Sequence, residues 1–292
     1  MQPTRTLAAV PQNYGFPMLS KWLTIPFALA ALVFLFLAWE QDYQYAIYIV
    51  PSVVCLAVIY ALSPQIDWWW YQKHPPELDP RLRKLLSDHL PFYQQLPAEG
   101  KQRFRQRVAL FMIANEFIPK GMDSVPEDVK GFLAASAVQL TFGMENFLFD
   151  RFERIVVYPG PFPSPQYPRW HASELFEEDG VLLFSADHLM HAVRSPQKYF
   201  HLGMYEYGRA ISLCYPDLQL PAPPPDIWEQ LEKVAPFTRN QLEKWIGLPQ
   251  IDPQGVSLAL FALFPVRFRE ILPDRYRQFV LALGFDPVQG IE

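Results

Sequence analysis

Residues 202–212 read LGMYEYGRAIS. Apolar and small residues recur here at helical spacing, and the run continues back towards Pro196 and forward to Cys214, which predicts a helix from about Pro196 through Cys214. With histidine at positions 205 and 209 the core of the stretch would be HEYGH. That arrangement sets two imidazoles one turn apart on one helix face with a carboxylate beside them. Tyr205 and Arg209 occupy those positions, and only Glu206 is retained. The meaning of this helix therefore depends on what the other residues build around it.

The chain has 292 residues, half of them hydrophobic, enough for one large domain or two modest ones. With 13 glycines and 30 prolines it has many chain breaks and few flexible hinges. A net charge of −5 and a pI near 5.7 oppose broad nucleic-acid binding, which needs a basic face. Cys55 and Cys214 are the only cysteines, too few for a disulfide framework or a thiolate zinc site, and a reducing compartment is expected.

Two stretches carry no charge: WLTIPFALAALVFLFLAW from Trp22 to Trp39, and YAIYIVPSVVCLAVIYAL from Tyr45 to Leu62. At ~1.5 Å per residue each reaches ~27 Å, close to the hydrocarbon thickness of a bilayer. Trp22 and Trp39 bracket the first, and Trp68, Trp69, Trp70 and Tyr71 follow the second, as interfacial aromatics do. Pro26 and Pro51 are tolerated in such helices. No small-residue cleavage site follows the first stretch, which opposes a signal peptide. Arg5 and Lys21 precede the pair and Lys73, Arg81, Arg83 and Lys84 follow it, while Glu40 and Asp42 lie in the turn. The positive-inside bias places both termini in the cytoplasm of a bacterial inner membrane. The expected organisation is a tail over 1–18, a transmembrane hairpin over 19–66, a juxtamembrane linker and helix over 67–90, and a cytoplasmic domain over 91–292.

Within that domain the fold class reads as mostly α with a small β-sheet. Asp79 and Pro80 predict a capped helix start. Amphipathic helices are expected in 97–117 and 125–144, and strands in 154–162 and 180–185. The proline-rich segment from Pro163 to Asp179 is expected to be an irregular surface loop. Ser185 or Asp187 is expected to cap a helix reaching about Val193, and further helices are expected near Asp226–Val234, Pro253–Phe264 and Asp274–Leu283.

Several pieces in order carry a resemblance. LPFYQQLPAEGKQRFRQRVALFMIANEF, ERIVVYPGPF, DGVLLFSADHLMHAVRSPQ, GMYEYGRAIS and DPQGVSLALFALFPVRFREILPDRYRQFVLALGFDP, together spanning about Leu90 to Pro287, resemble the MtfA family of zinc peptidases, named for the Mlc titration factor. The resemblance implies a zincin-like fold, a zinc cofactor held by the two histidines of HExxH, and a later carboxylate ligand. Here the zinc ligands are missing: Tyr205 and Arg209 replace the histidines, and Gly255 and Ala262 fall where the family carries glutamates. Arginine offers no lone pair and keeps its charge, and a tyrosine must lose a proton with a pKa near ~10 to bind metal. Glu206 keeps the general-base position without an activated water, and a helical pair with Arg209 is its plainer role.

No cofactor is therefore expected. The resemblance implies a pseudopeptidase that binds a protein at the membrane, the family's namesake partner being a sugar-responsive repressor. The bilayer is one expected partner, the protein partner is not identified by these residues, and nucleic acid is not expected. Two alternatives remain. One is a zinc peptidase with a relocated ligand set drawn from Asp187, His188, His191, His201 and Glu206. The other is a structural subunit of a membrane complex. His171 beside Trp170 reads as a loop packing residue, and PAPPP near residue 221 as a rigid linker.

Overall fold

The structure is a computed structural model that describes residues 18–288; the expected N-terminal tail and Arg5 lie outside the described residues. The chain divides into two compact units between Pro76 and Glu77.

The first unit is a pair of helices that pack on each other. α1 is Leu19–Glu40, a short tight turn spans Tyr43–Tyr48, and α2 is Ile49–Lys73. Asp42 starts the turn by accepting the Gln44 N–H at 3.1 Å. Both helices are long and apolar enough to cross a membrane. None of the apolar stretch of α1 is buried, and 6% of that of α2, so these are not the core helices of a water-soluble fold. At the open end of the pair, Asp67 accepts the Ser20 N–H at 2.8 Å and the Ser20 hydroxyl at 2.7 Å. α2 runs well past Leu62, through Pro64 to Lys73, so residues 67–73 are helix rather than linker. The helix stops where Pro75 disfavours the α conformation at His74.

The second unit carries α3 (Pro80–His89), α4 (Pro91–Gln95), α5 (Ala98–Ala114), β1 (Glu116–Pro119), α6 (Glu127–Leu140), β2 (Arg154–Tyr158), β3 (Ser173–Phe176), β4 (Val181–Ser185), α7 (Ala186–Arg194), α8 (Leu202–Cys214), α9 (Ile227–Val234), α10 (Arg239–Ile246), α11 (Pro253–Leu263), α12 (Pro265–Ile271) and α13 (Pro273–Leu283). Asp79 caps α3 as expected, accepting the Arg81 N–H at 2.7 Å with Pro80 at the first position. Ser185 caps α7.

The sheet order is β1-β2-β4-β3. β1, β2 and β4 run parallel, and β3 is an antiparallel edge strand paired Ser173↔Phe184 through Phe176↔Val181. β3 lies inside the segment expected to be loop. Prolines up to Pro168 dominate that composition, whereas pairing with β4 is a tertiary gain that local propensity does not carry. The β3–β4 turn requires Gly180, whose φ is +61° and whose hypothetical Cβ would lie 2.2 Å from the Arg151 carbonyl oxygen.

α6 is the buried axis of this unit, with every residue from Gly131 to Leu140 enclosed. Leu82 packs so closely that a Cβ on Gly131 would meet its Cδ1 at 2.3 Å. Arg107 of α5 closes the far end of α6, donating to the carbonyls of Thr141, Phe142 and Met144 at 3.2, 3.0 and 2.7 Å. It satisfies carbonyls that a helix end leaves open and sets a cation at the negative pole. Phe92, Phe104, Phe142, Phe261 and Phe285 meet edge-on or tilted beside it.

Candidate functional site

α8 begins at Leu202, not near Pro196. Residues 195–200 form turns instead, and His201 is the N-cap, its Nδ1 accepting the Met204 N–H at 3.3 Å. Proline permits a helix start without requiring one, and the cap at His201 wins because it satisfies a buried N–H. His201 is therefore a capping residue and not a member of the ligand face of α8. Burial holds its ring neutral, with the pKa lowered to about 4.

α8 is enclosed by the sheet, α6 and α11, and residues Leu202 to Gly208 are all buried. Glu206 is fully buried, and both its oxygens are engaged. Oε1 accepts the Ser173 hydroxyl of β3 at 2.7 Å, and Oε2 accepts Arg209 Nη1 at 2.7 Å. Arg209 keeps 27% side-chain exposure and its guanidinium lies 5.6 Å from the Tyr205 ring centre. Burial pushes the Glu206 carboxyl up, while Arg209 and Ser173 pull it back. Burial pulls the Arg209 pKa down and the Glu206 carboxylate more than offsets it, so the guanidinium stays charged. The pair expected from the i, i+3 spacing is present, but it is a half-buried charge pair rather than an exposed surface contact.

The Tyr205 hydroxyl oxygen accepts the Asp252 N–H at 3.0 Å, and burial holds its phenol pKa well above the usual value. Asp252 caps α11, its two oxygens accepting the N–H groups of Gln254 and Gly255 at 3.1 and 2.9 Å. Gly255 is pressed against α8: an added Cβ would lie 2.6 Å from Arg209 Cγ and 3.1 Å from the Tyr205 carbonyl oxygen. Tyr205, Glu206, Arg209 and Gly255 thus meet. Ala262 does not join them. It lies seven residues on, ~10 Å along α11, where its carbonyl accepts the Gln139 side-chain amide at 3.0 Å.

Sequence reasoning missed Ser173 and Asp252. Ser173 sits on a strand read as loop. Asp252 carried a usable signal, because Asp followed by Pro253 is a helix start. Beside them, His171 and Glu174 form a buried pair at 3.0 Å, with His171 Nδ1 2.9 Å from the Arg169 carbonyl oxygen. His171 is buried against Phe162, the packing role expected of it.

The donors do not fit a zinc ion. One histidine position holds a cation, the other a phenol already accepting a hydrogen bond, and the carboxylate between them is ion-paired and accepts a hydrogen bond at each oxygen. The alternative set is not brought together. His188 Nδ1 lies 3.2 Å from Ser185 Oγ, with its ring on Trp245. His191 pairs with Asp187 at 3.0 Å, and His201 and Glu206 have the separate roles given above. Among the described residues no three His, Cys, Asp or Glu side chains converge.

An open cleft of about 850 Å³ lies over the pair, bordered by Leu175 and Phe176 of β3, Arg209, Asp252, Arg151 and Glu177. Cys214, near its wall, is half-buried, and burial pushes its thiol up to about 11, leaving it unreactive at neutral pH.

A family model described as the glucose-regulated metallo-peptidase M90 matches residues 66–187. Over that segment the chain is similar to the M90 peptidase family, the MtfA-like group whose resemblance the sequence carries. The match covers the end of α2, α3 to α7 in part, and the sheet; α8 and α11 lie beyond it. An uncharacterized protein of Synechocystis is 29% identical over 126 residues, 43% of this chain and 46% of that relative, so the match spans under half of the relative's length.

Proposed function

We propose that the chain is a membrane-anchored pseudopeptidase, a peptidase-like unit that works by binding a protein segment at the bacterial inner membrane. The observation that carries this is the Arg209 guanidinium 2.7 Å from Glu206 Oε2. A charge pair at the place of a metal and its water leaves no group to activate a nucleophile. The cleft above it supports a binding role, since an edge strand beside a groove of mixed polarity suits an extended segment. The two membrane-length helices support tethering, and the basic residues flanking them support a cytoplasmic main unit.

The test takes the full chain, purified from gently solubilised membranes. Elemental analysis is expected to find no stoichiometric zinc, a peptide library is expected to remain uncut, and a soluble protein is expected to co-purify. Stoichiometric zinc together with chelator-sensitive cleavage would overturn the reading. Co-purification of membrane proteins alone would move the function to the hairpin.

A further inference from the structure

On another part of the same unit, a cavity of about 320 Å³ opens between the α3–α4 corner, the end of α7 and the α11–α12 corner. Its wall is largely apolar, with Leu90, Phe92, Val193, Leu263 and Phe264, and its polar lining includes Gln95, Gln139 and Gln197. Among the described residues no Asp or Glu lines it, whereas Arg267, His89 and His201 do. The Arg267 side chain is more than half exposed and donates to Glu270 at 3.1 Å and to the Lys233 carbonyl at 3.3 Å. His201 is 3% exposed. Because its Nδ1 accepts the Met204 N–H, the proton of the neutral ring sits on Nε2, and that buried N–H has no acceptor among the described residues. A buried donor without a partner is costly and calls for an explanation.

We propose that this cavity is a binding site for a small organic carboxylate with an apolar body. At about 30 Å³ for each water-sized group, the space holds on the order of ten non-hydrogen atoms, which is the size of a short arylalkanoate. The body packs against Phe92, Val193 and Phe264, and the carboxylate meets donors in the lining and a guanidinium that it shares with Glu270. α11 links this site to the degenerate centre: Gly255 abuts Arg209 at one end and Ala262 borders the cavity at the other. The site stands whether or not the centre is catalytically dead.

Equilibrium dialysis of radiolabelled phenylpropionate against the full chain in lipid nanodiscs, with empty nanodiscs as the blank, tests it. Saturable one-to-one binding is expected. Arg267→Gln, a surface change that leaves the fold intact, weakens it by a factor on the order of ten. His201→Asn, which keeps a capping acceptor for α8, weakens it also. The neutral phenylpropionamide binds less tightly than the acid. Absence of saturable binding at millimolar ligand overturns the proposal. So does binding that neither variant changes, because the ligand then sits in the bilayer or in the cleft over Arg209.

Discussion

Arg209 is held by Glu206 as much as Glu206 is held by Arg209, and the two sides of that pair are unequally exposed. Arg209→Met leaves a fully buried carboxylate with Ser173 as its remaining polar partner. A cost of about 2 kcal/mol is expected, below the range for a wholly buried pair because the guanidinium is part-solvated. Adding Glu206→Gln removes the stranded charge, so the double variant is expected to be more stable than Arg209→Met alone. Pulse proteolysis across a urea series checks this, and a double variant weaker than either single would count against the coupling. His201 gives a second expectation. Its unfolded ring binds a proton near 6.5, whereas the folded ring holds out to about 4. Between those values the unfolded state carries more protons, so stability falls as pH is lowered through the window, by about 3 kcal/mol at most. His188, also lowered by burial, adds in the same direction. The same measurement at pH 7 and pH 5 shows the slope, and His201→Asn is expected to flatten it. At this scale the sequence disclosed the Glu206–Arg209 pair, because i, i+3 neighbours on a helix meet wherever the helix goes. It did not disclose Ser173 or Asp252, whose contacts with α8 close over separations of 33 and 47 residues.

The crossing of α8 and α11 sets how closely Tyr205, Arg209 and Gly255 approach. Gly208 and Gly255 face each other, and a Cβ on Gly208 would lie 3.0 Å from the Gly255 carbonyl oxygen. Gly208→Ala is expected to cost on the order of 1–3 kcal/mol by forcing the helices apart. The approach also bears on any attempt to rebuild the metal site. Tyr205→His with Arg209→His supplies two imidazoles, but Gly255 has no side chain and both Asp252 oxygens are committed to the start of α11. That double variant is expected to show no peptidase activity; zinc-dependent cleavage by it would mean that a third donor comes from elsewhere. Elements were legible where their signals are local. Asp79–Pro80 marked α3, and long periodic runs marked α5, α6, α11 and α13. β3, four residues beside a proline-rich stretch, exists through pairing with β4, and α10 went unread because its eight residues hold few apolar positions. The start of α8 was misplaced because Pro196 suits a helix N-terminus and nothing local told against it.

At the scale of the whole chain, the two units place their apolar side chains differently. The second buries its apolar side chains around α6, whereas the first displays Leu29, Leu32, Phe36, Val50, Val54 and Val58 outward, each at least half exposed. Such faces are stable in hydrocarbon and not in water. Both helices satisfy their backbone groups internally, the condition for crossing a bilayer. The one acidic side chain in the lower half of α2, Asp67, is matched to Ser20 rather than left alone. The apolar stretches and their flanking charges were fully legible, since bilayer thickness sets a length that can be counted along the chain. The proposed orientation rests on Lys21 and Lys73 at the open end against Glu40 and Asp42 at the turn. In a background with Cys55 and Cys214 replaced by serine, a single cysteine at exposed Gln44 is expected to react with a membrane-impermeant maleimide once the outer membrane is opened. One at exposed Glu178 is expected to react only after the inner membrane is permeabilised. The reverse pattern would place the main unit outside the cytoplasm and remove the compartment in which the proposed partner is sought. Labelling of both sites before permeabilisation would mean that the helices lie on the membrane instead of crossing it.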